Sequence, residues 1–97
     1  MLNEILTQKP TDAFARYGLA MEYSKAEQVD KAMEEFGKLL SAHPDYCAGY
    51  FMAAQTLVKA ERGEEAKKML VDGIASARRT GNGHAQSEME GMLAELG

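Results

Sequence analysis

YCAGYFMAAQTLVKAER, residues Tyr46 to Arg62, is the stretch whose reading decides the fold. Wound at 3.6 residues per turn, its Tyr46, Cys47, Tyr50, Phe51, Met52, Ala53, Ala54, Leu57 and Val58 run round most of the circumference, whereas a surface helix carries one apolar stripe. The segment therefore reads as a helix packed on more than one side. Its partner is indicated by an earlier counterpart. Sliding the sequence by 34 residues lays Leu19 on Ala53, Ala20 on Ala54, Tyr23 on Leu57, Ala32 on Ala66, Phe36 on Leu70 and Leu40 on Ile74, and superposes Lys25-Ala26-Glu27 on Lys59-Ala60-Glu61. A constant displacement that preserves size and polarity marks a repeat architecture. The same shift brings Ile5-Leu6-Thr7-Gln8-Lys9-Pro10 onto Leu39-Leu40-Ser41-Ala42-His43-Pro44, so residues 1–10 read as a partial N-terminal helix, the tail of a preceding half-repeat.

Each unit reads as two helices. The first, about Asp12 to Ala26, is capped by Thr11 or Asp12 just after Pro10 and carries Phe14, Tyr17, Leu19, Met21 and Tyr23. The second, about Val29 to Ala42, places Val29, Ala32, Met33, Phe36, Leu39 and Leu40 on one stripe. Pro44 stops it, and Asp45 stands where it would cap the next helix. A fourth helix, about Glu64 to Arg79, ends at Gly81, and a fifth, about His84 to Leu96, has Ala85, Met89, Met92, Leu93 and Leu96 on one side, as an end cap requires. The expected organisation is thus 1–10 partial helix, 11–44 first repeat, 45–78 second repeat and 82–97 capping helix.

Composition narrows the function. With 97 residues, one domain with a modest core is expected, and a deep enzyme cavity is hard to accommodate. The net charge of −4 is spread over interleaved Glu and Lys, without the basic footprint that phosphate-backbone binding needs, so nucleic acid is not an expected partner. Cys47, the single cysteine, has no internal disulfide partner, which suits a reducing compartment. MLNEILTQKP lacks the layout of a secretory leader, and the longest apolar run is too short to span about 30 Å of hydrocarbon. A cytoplasmic protein without a membrane partner is expected.

These residues resemble the tetratricopeptide repeat family, whose 34-residue pattern runs W-x₂-L-G-x₂-Y, then A-x₃-F, then P. The first unit supplies Arg16, Leu19, Ala20, Tyr23, Ala32, Phe36 and Pro44, and the second Tyr50, Ala53, Ala54, Leu57, Ala66, Leu70 and Arg78. The resemblance spans about Thr11 to Arg78 and implies an all-α, right-handed α-α superhelix of two hairpins plus the capping helix. Small residues at Ala20, Ala32, Ala54 and Ala66 let paired helices approach, while large ones fill the space between units. Two departures stand out. Arg16 replaces an aromatic, so the first unit should pack less tightly at its N-terminal end, and Arg78 replaces the proline, so the fourth helix should run on to Thr80. Gly18, Gly37, Gly49, Gly73 and Gly91 lie inside predicted helices, where each costs up to about 1 kcal/mol relative to alanine. In so small a core, that sum points to stabilisation by a partner or by self-association.

The resemblance implies a non-catalytic scaffold whose first helices line a concave groove for a peptide or helix of a partner protein. It directs Phe14, Tyr17, Met21, Ser24 and Lys25 of the first unit, and Ala48, Phe51, Gln55, Val58 and Lys59 of the second, toward that groove. Tyr17, Met21 and Met52 occupy the places where some members hold a carboxylate clamp, so a hydrophobic or helical ligand is implied instead. The alternative is a homo-oligomer that pairs through the same apolar face or through the capping helix. No cofactor or metal is expected. His43 and His84 are far apart in sequence with no ligand-spaced partners, Cys47 has no base placed beside it by the pattern, and Glu34-Glu35 and Glu64-Glu65 read as solvated helix faces.

Overall fold

The computed structural model describes residues 12–97. The expected helix over residues 1–10 and the possible cap at Thr11 lie outside the described residues. Five α-helices follow in order: α1 (Ala13–Lys25), α2 (Val29–Ala42), α3 (Cys47–Lys59), α4 (Gly63–Thr80) and α5 (Gly83–Leu96). Among the described residues there is no strand. Connections of a few residues force neighbours to run antiparallel, and the principal contacts are indeed α1 with α2, α3 with α4, α4 with α5, and α2 with α3. Helices two apart, α1 with α3 and α3 with α5, touch more lightly. This is the contact pattern of stacked hairpins, each touching only its neighbours.

Local chemistry sets the helix boundaries. Asp12 caps α1 by accepting from the Ala15 amide at 2.8 Å, and Asn82 caps α5 by accepting from the Ala85 amide at 3.1 Å. Asp45 does not cap α3. Tyr46 occupies that position with no side-chain cap, and Asp45 instead accepts from Arg79 Nη2 at 2.8 Å, because the end of α4 brings a guanidinium over the loop. Gly81, at φ 70°, closes α4, which reaches Thr80 as the missing proline implies. Glu27 and Glu61 both take φ 60°, in the equivalent turns between the two helices of each hairpin.

The core lies between the two helix layers. Ala20, Ala32, Ala54 and Ala66 are fully buried, so backbones approach closely there, with Phe36, Leu39, Leu57, Leu70 and Met89 filling the space between them. Two of the glycines belong to this close packing. A methyl on Gly73 would meet Met89 Sδ at 2.5 Å and Tyr50 Cβ at 2.6 Å, and one on Gly49 would meet the Leu39 and Leu40 side chains at 2.9 and 3.0 Å. Gly37 and Gly91 face open space and carry only their propensity cost.

Two polar features tie the layers. The buried Ser76 hydroxyl and the Tyr50 hydroxyl both donate to the Pro44 carbonyl, at 2.9 and 2.8 Å, pinning the loop between the hairpins onto α3 and α4. Arg16, standing where the pattern wants an aromatic, is largely buried and forms an ion pair with Glu35 of α2. Glu35 is therefore not a solvated residue, as its place beside Glu34 had suggested; the arginine that departs from the repeat pattern draws it inward, with Lys38 Nζ 3.6 Å from its other oxygen.

Candidate functional site: an apolar trough walled by the last helix

Winding α3 at 100° per residue puts Ala48, Phe51, Gln55 and Val58 on one face, and the equivalent face of α5 carries Ala85, Glu88, Met92 and Glu95. The two helices touch only lightly, and a trough remains along their seam. Two clefts occupy it. The first, about 250 Å³, is lined by Tyr17 of α1, by Ala48, Phe51 and Met52 of α3, and by His84 and Glu88 of α5. The second, about 370 Å³, lies toward the other end, between Gln55, Val58 and Lys59 of α3 and Met92, Glu95 and Leu96 of α5. With 13 residues in α3, the seam is about 20 Å long.

Of the residues marked from sequence, Tyr17 and Phe51 share the first cleft, and Gln55, Val58 and Lys59 share the second. Phe14, Met21 and Lys25 line neither. Met21 is half-buried against the cluster around Phe36 and Ala53, whereas Phe14 projects into solvent at 78% exposure and Lys25 is exposed at the end of α1. Ser24 lies instead in a smaller recess, where its hydroxyl is 2.8 Å from that of Thr56. Tyr17 is fixed by an edge-on contact with Tyr46, ring centroids 5.4 Å apart. Burial, with Tyr46 close by, pushes its phenol above the ordinary value of 10.0.

Sequence reasoning assigned α5 to capping and so missed His84, Glu88, Met92, Glu95 and Leu96 as trough residues. A signal was present: Glu88 and Glu95 interrupt the edge of an apolar stripe at a spacing of seven, which places both on one face. The helix serves both ends, since Met89 is fully buried and Ala85, Met92, Leu93 and Leu96 pack against the same core.

A thiol and an imidazole border the trough. Cys47 and His84 both border the first cleft, yet the Cys47 sulfur is buried and directed at the hydroxyls of Ser76 and Thr80, at 3.8 and 3.9 Å. His84 Nε2 meets Glu88 at 3.2 Å. The sulfur's neighbours are hydroxyls, whereas the imidazole's partner, Glu88, lines the same cleft. Among the described residues no group of three His, Cys, Asp or Glu side chains is arranged to hold a metal ion, and no helix is long and apolar enough to cross a membrane.

Comparisons with known proteins agree with this architecture. No family model matches the chain. A TPR repeat-containing protein of Pseudomonas aeruginosa is 26% identical over 95 residues, which cover 98% of this chain and 90% of that protein. The solution NMR structure of a tetratricopeptide repeat domain protein from Salinibacter ruber superposes with a TM-score of 0.82 at 29% identity, covering 90% of this chain and 88% of that one. The solution structure of a Bordetella parapertussis protein gives the same TM-score at 24% identity over 98% of this chain and 83% of its own, a likeness of fold alone.

Proposed function

Because the chain is a tetratricopeptide repeat protein, a member of a family of protein-interaction modules that are generally non-catalytic, we propose that it binds a peptide or helix of a partner protein through its concave trough and performs no chemistry itself. One observation carries this reading: Phe51, Val58, Met92 and Leu96 remain accessible along a single 20 Å seam (about the length of α3) instead of being sealed into the core. Side chains placed so present anchors for an apolar face without the enclosure that a small substrate needs. Phe51 and Tyr17 are the aromatic anchors of one cleft; Val58 supports the other, with Gln55 and Lys59 as its polar margin. We assign Phe14, Met21 and Lys25 to the approach on the α1 side. The working compartment in this reading is the cytoplasm.

The experiment is selection of binders from a random displayed-peptide library on the immobilised protein, followed by NMR mapping. Enriched peptides that share spaced apolar residues, shift Phe51 and Val58 resonances, and no longer bind Phe51→Asp of unchanged circular dichroism are expected. Binders indifferent to Phe51→Asp would remove the trough from the account.

Self-association is the second reading, favoured by the exposure of Phe14 and of Val71, 78% and 55% respectively. Sedimentation equilibrium over a concentration series separates the two, since a dimer dispersed by Phe14→Asp or Phe51→Asp belongs to self-association and a persistent monomer to a foreign ligand.

A further inference from the structure

The trough is not electrically neutral along its length, and its charges have a definite register. The four arginines are held by carboxylates away from it: Arg16 by Glu35, Arg62 by Glu65 and Asp30, Arg78 by Glu90, and Arg79 by Asp45. Helix α5 contains three glutamates and neither lysine nor arginine. Of those glutamates, Glu90 is paired with Arg78 and lines neither cleft, whereas Glu88 and Glu95 border one cleft each. Among the described residues Glu88 pairs with the imidazole of His84 alone and Glu95 has no ion pair. Among the described residues one lysine borders the clefts, Lys59, at the C-terminal end of α3, where the helix carbonyls already favour a cation. It borders the same cleft as Glu95 without bridging to it.

The two walls share a repeat. Phe51 and Val58 on α3 are seven residues apart, as are Glu88 and Glu95 on α5, and seven residues are about 10.5 Å, close to two turns. A helix laid along the seam meets both walls at the same spacing only if its own side chains repeat every seven residues. We propose that the occupant of the trough is an amphipathic helix of a foreign protein whose apolar stripe lies on Phe51 and Val58 and whose flank toward α5 carries lysine or arginine at positions seven apart, facing Glu88 and Glu95. This rests on the trough being the binding surface. Apolar contact supplies affinity, while the two carboxylates fix which way the guest helix is rotated and disfavour guests with an acidic flank, as complementary rim charges do.

The probes are two synthetic helical peptides of about 18 residues, a length at which helix is accessible in water. They share one heptad apolar stripe and differ only in carrying Lys or Glu at the flanking positions. Affinities are measured by fluorescence anisotropy in low and high salt, against the wild type, E88Q/E95Q and Phe51→Asp, with circular dichroism confirming that each variant folds. The lysine peptide is expected to bind about tenfold more tightly than its glutamate twin at low salt, with the difference shrinking at high salt and vanishing in E88Q/E95Q. Equal binding of the two peptides, lost in Phe51→Asp, would overturn the charge register while leaving the trough in place. If neither peptide binds, or if Phe51→Asp binds both as the wild type does, the register and the trough reading fall together. A preference for lysine that survives in E88Q/E95Q overturns the assignment of Glu88 and Glu95.

Discussion

Glu27 and Glu61 show how a repeated turn imposes the same local cost twice. Both sit at φ 60°, a conformation that crowds a Cβ against the following carbonyl. Glu61→Gly is expected to stabilise the protein by about 0.5–1 kcal/mol in urea unfolding, the relief at φ exceeding the added freedom of the unfolded chain. Gly73 is the opposite case. Gly73→Ala drives a methyl into Met89 and the Tyr50 backbone-proximal carbon, and a loss of about 1–3 kcal/mol by the same measurement is expected, whereas Gly91→Ala, on open surface, gains about 0.5–1 kcal/mol. Both glycines read alike in the sequence, as interruptions of a helix. Only the neighbour's position separates them.

Burial of tyrosine gives the elements a signature in alkali. The Tyr50 phenol, buried between α3 and α4 and donating to the Pro44 carbonyl, is raised above 10.0, first by burial and further by the Asp72 and Asp45 carboxylates and the Cys47 thiol, with the Arg79 cation opposing. The folded protein therefore holds this proton at pH values where the unfolded chain releases it. That stabilisation is complete below about pH 10 and is lost as pH rises through the raised value. Unfolding free energies measured from pH 9 to 11.5 should decline, and decline less steeply in Tyr50→Phe. The α1–α2 contact includes the Arg16–Glu35 ion pair. Arg16→Leu strands a buried carboxylate with only Lys38 nearby, and a cost of about 1–3 kcal/mol is expected, much of it recovered in Arg16→Leu/Glu35→Leu. A double-mutant cycle measures the difference.

At the scale of the whole molecule, helices stack as a slab whose Cα extents are 39 × 30 × 17 Å, two helices deep. Stability in such an array spreads from neighbour to neighbour, so α5 acts on α3 through α4 as well as directly. Removing its anchor with Met89→Ala is expected to cost about 2–4 kcal/mol and to loosen both clefts, read as faster amide exchange in α3 and α4 as well as in α5. Exchange faster only within α5 would show that the last helix is an appendage to the array.

What the sequence determined by itself was the period and the order of small and large side chains. A displacement of 34 residues with Ala20, Ala32, Ala54 and Ala66 at the close contacts admits one economical packing of helical hairpins, because burial of apolar surface is non-directional and needs only the right spacing. Five of the residues that the family resemblance directed to a groove, Tyr17, Phe51, Gln55, Val58 and Lys59, come to line the clefts. Tertiary structure alone decided that the trough runs along the seam of α3 and α5, that Glu35 turns inward to Arg16, and that Asp45 serves Arg79 and not a helix end. Those outcomes depend on which side chains meet across turns and between hairpins. Such meetings are set by distance and direction in space, and a one-dimensional pattern of hydrophobicity carries neither.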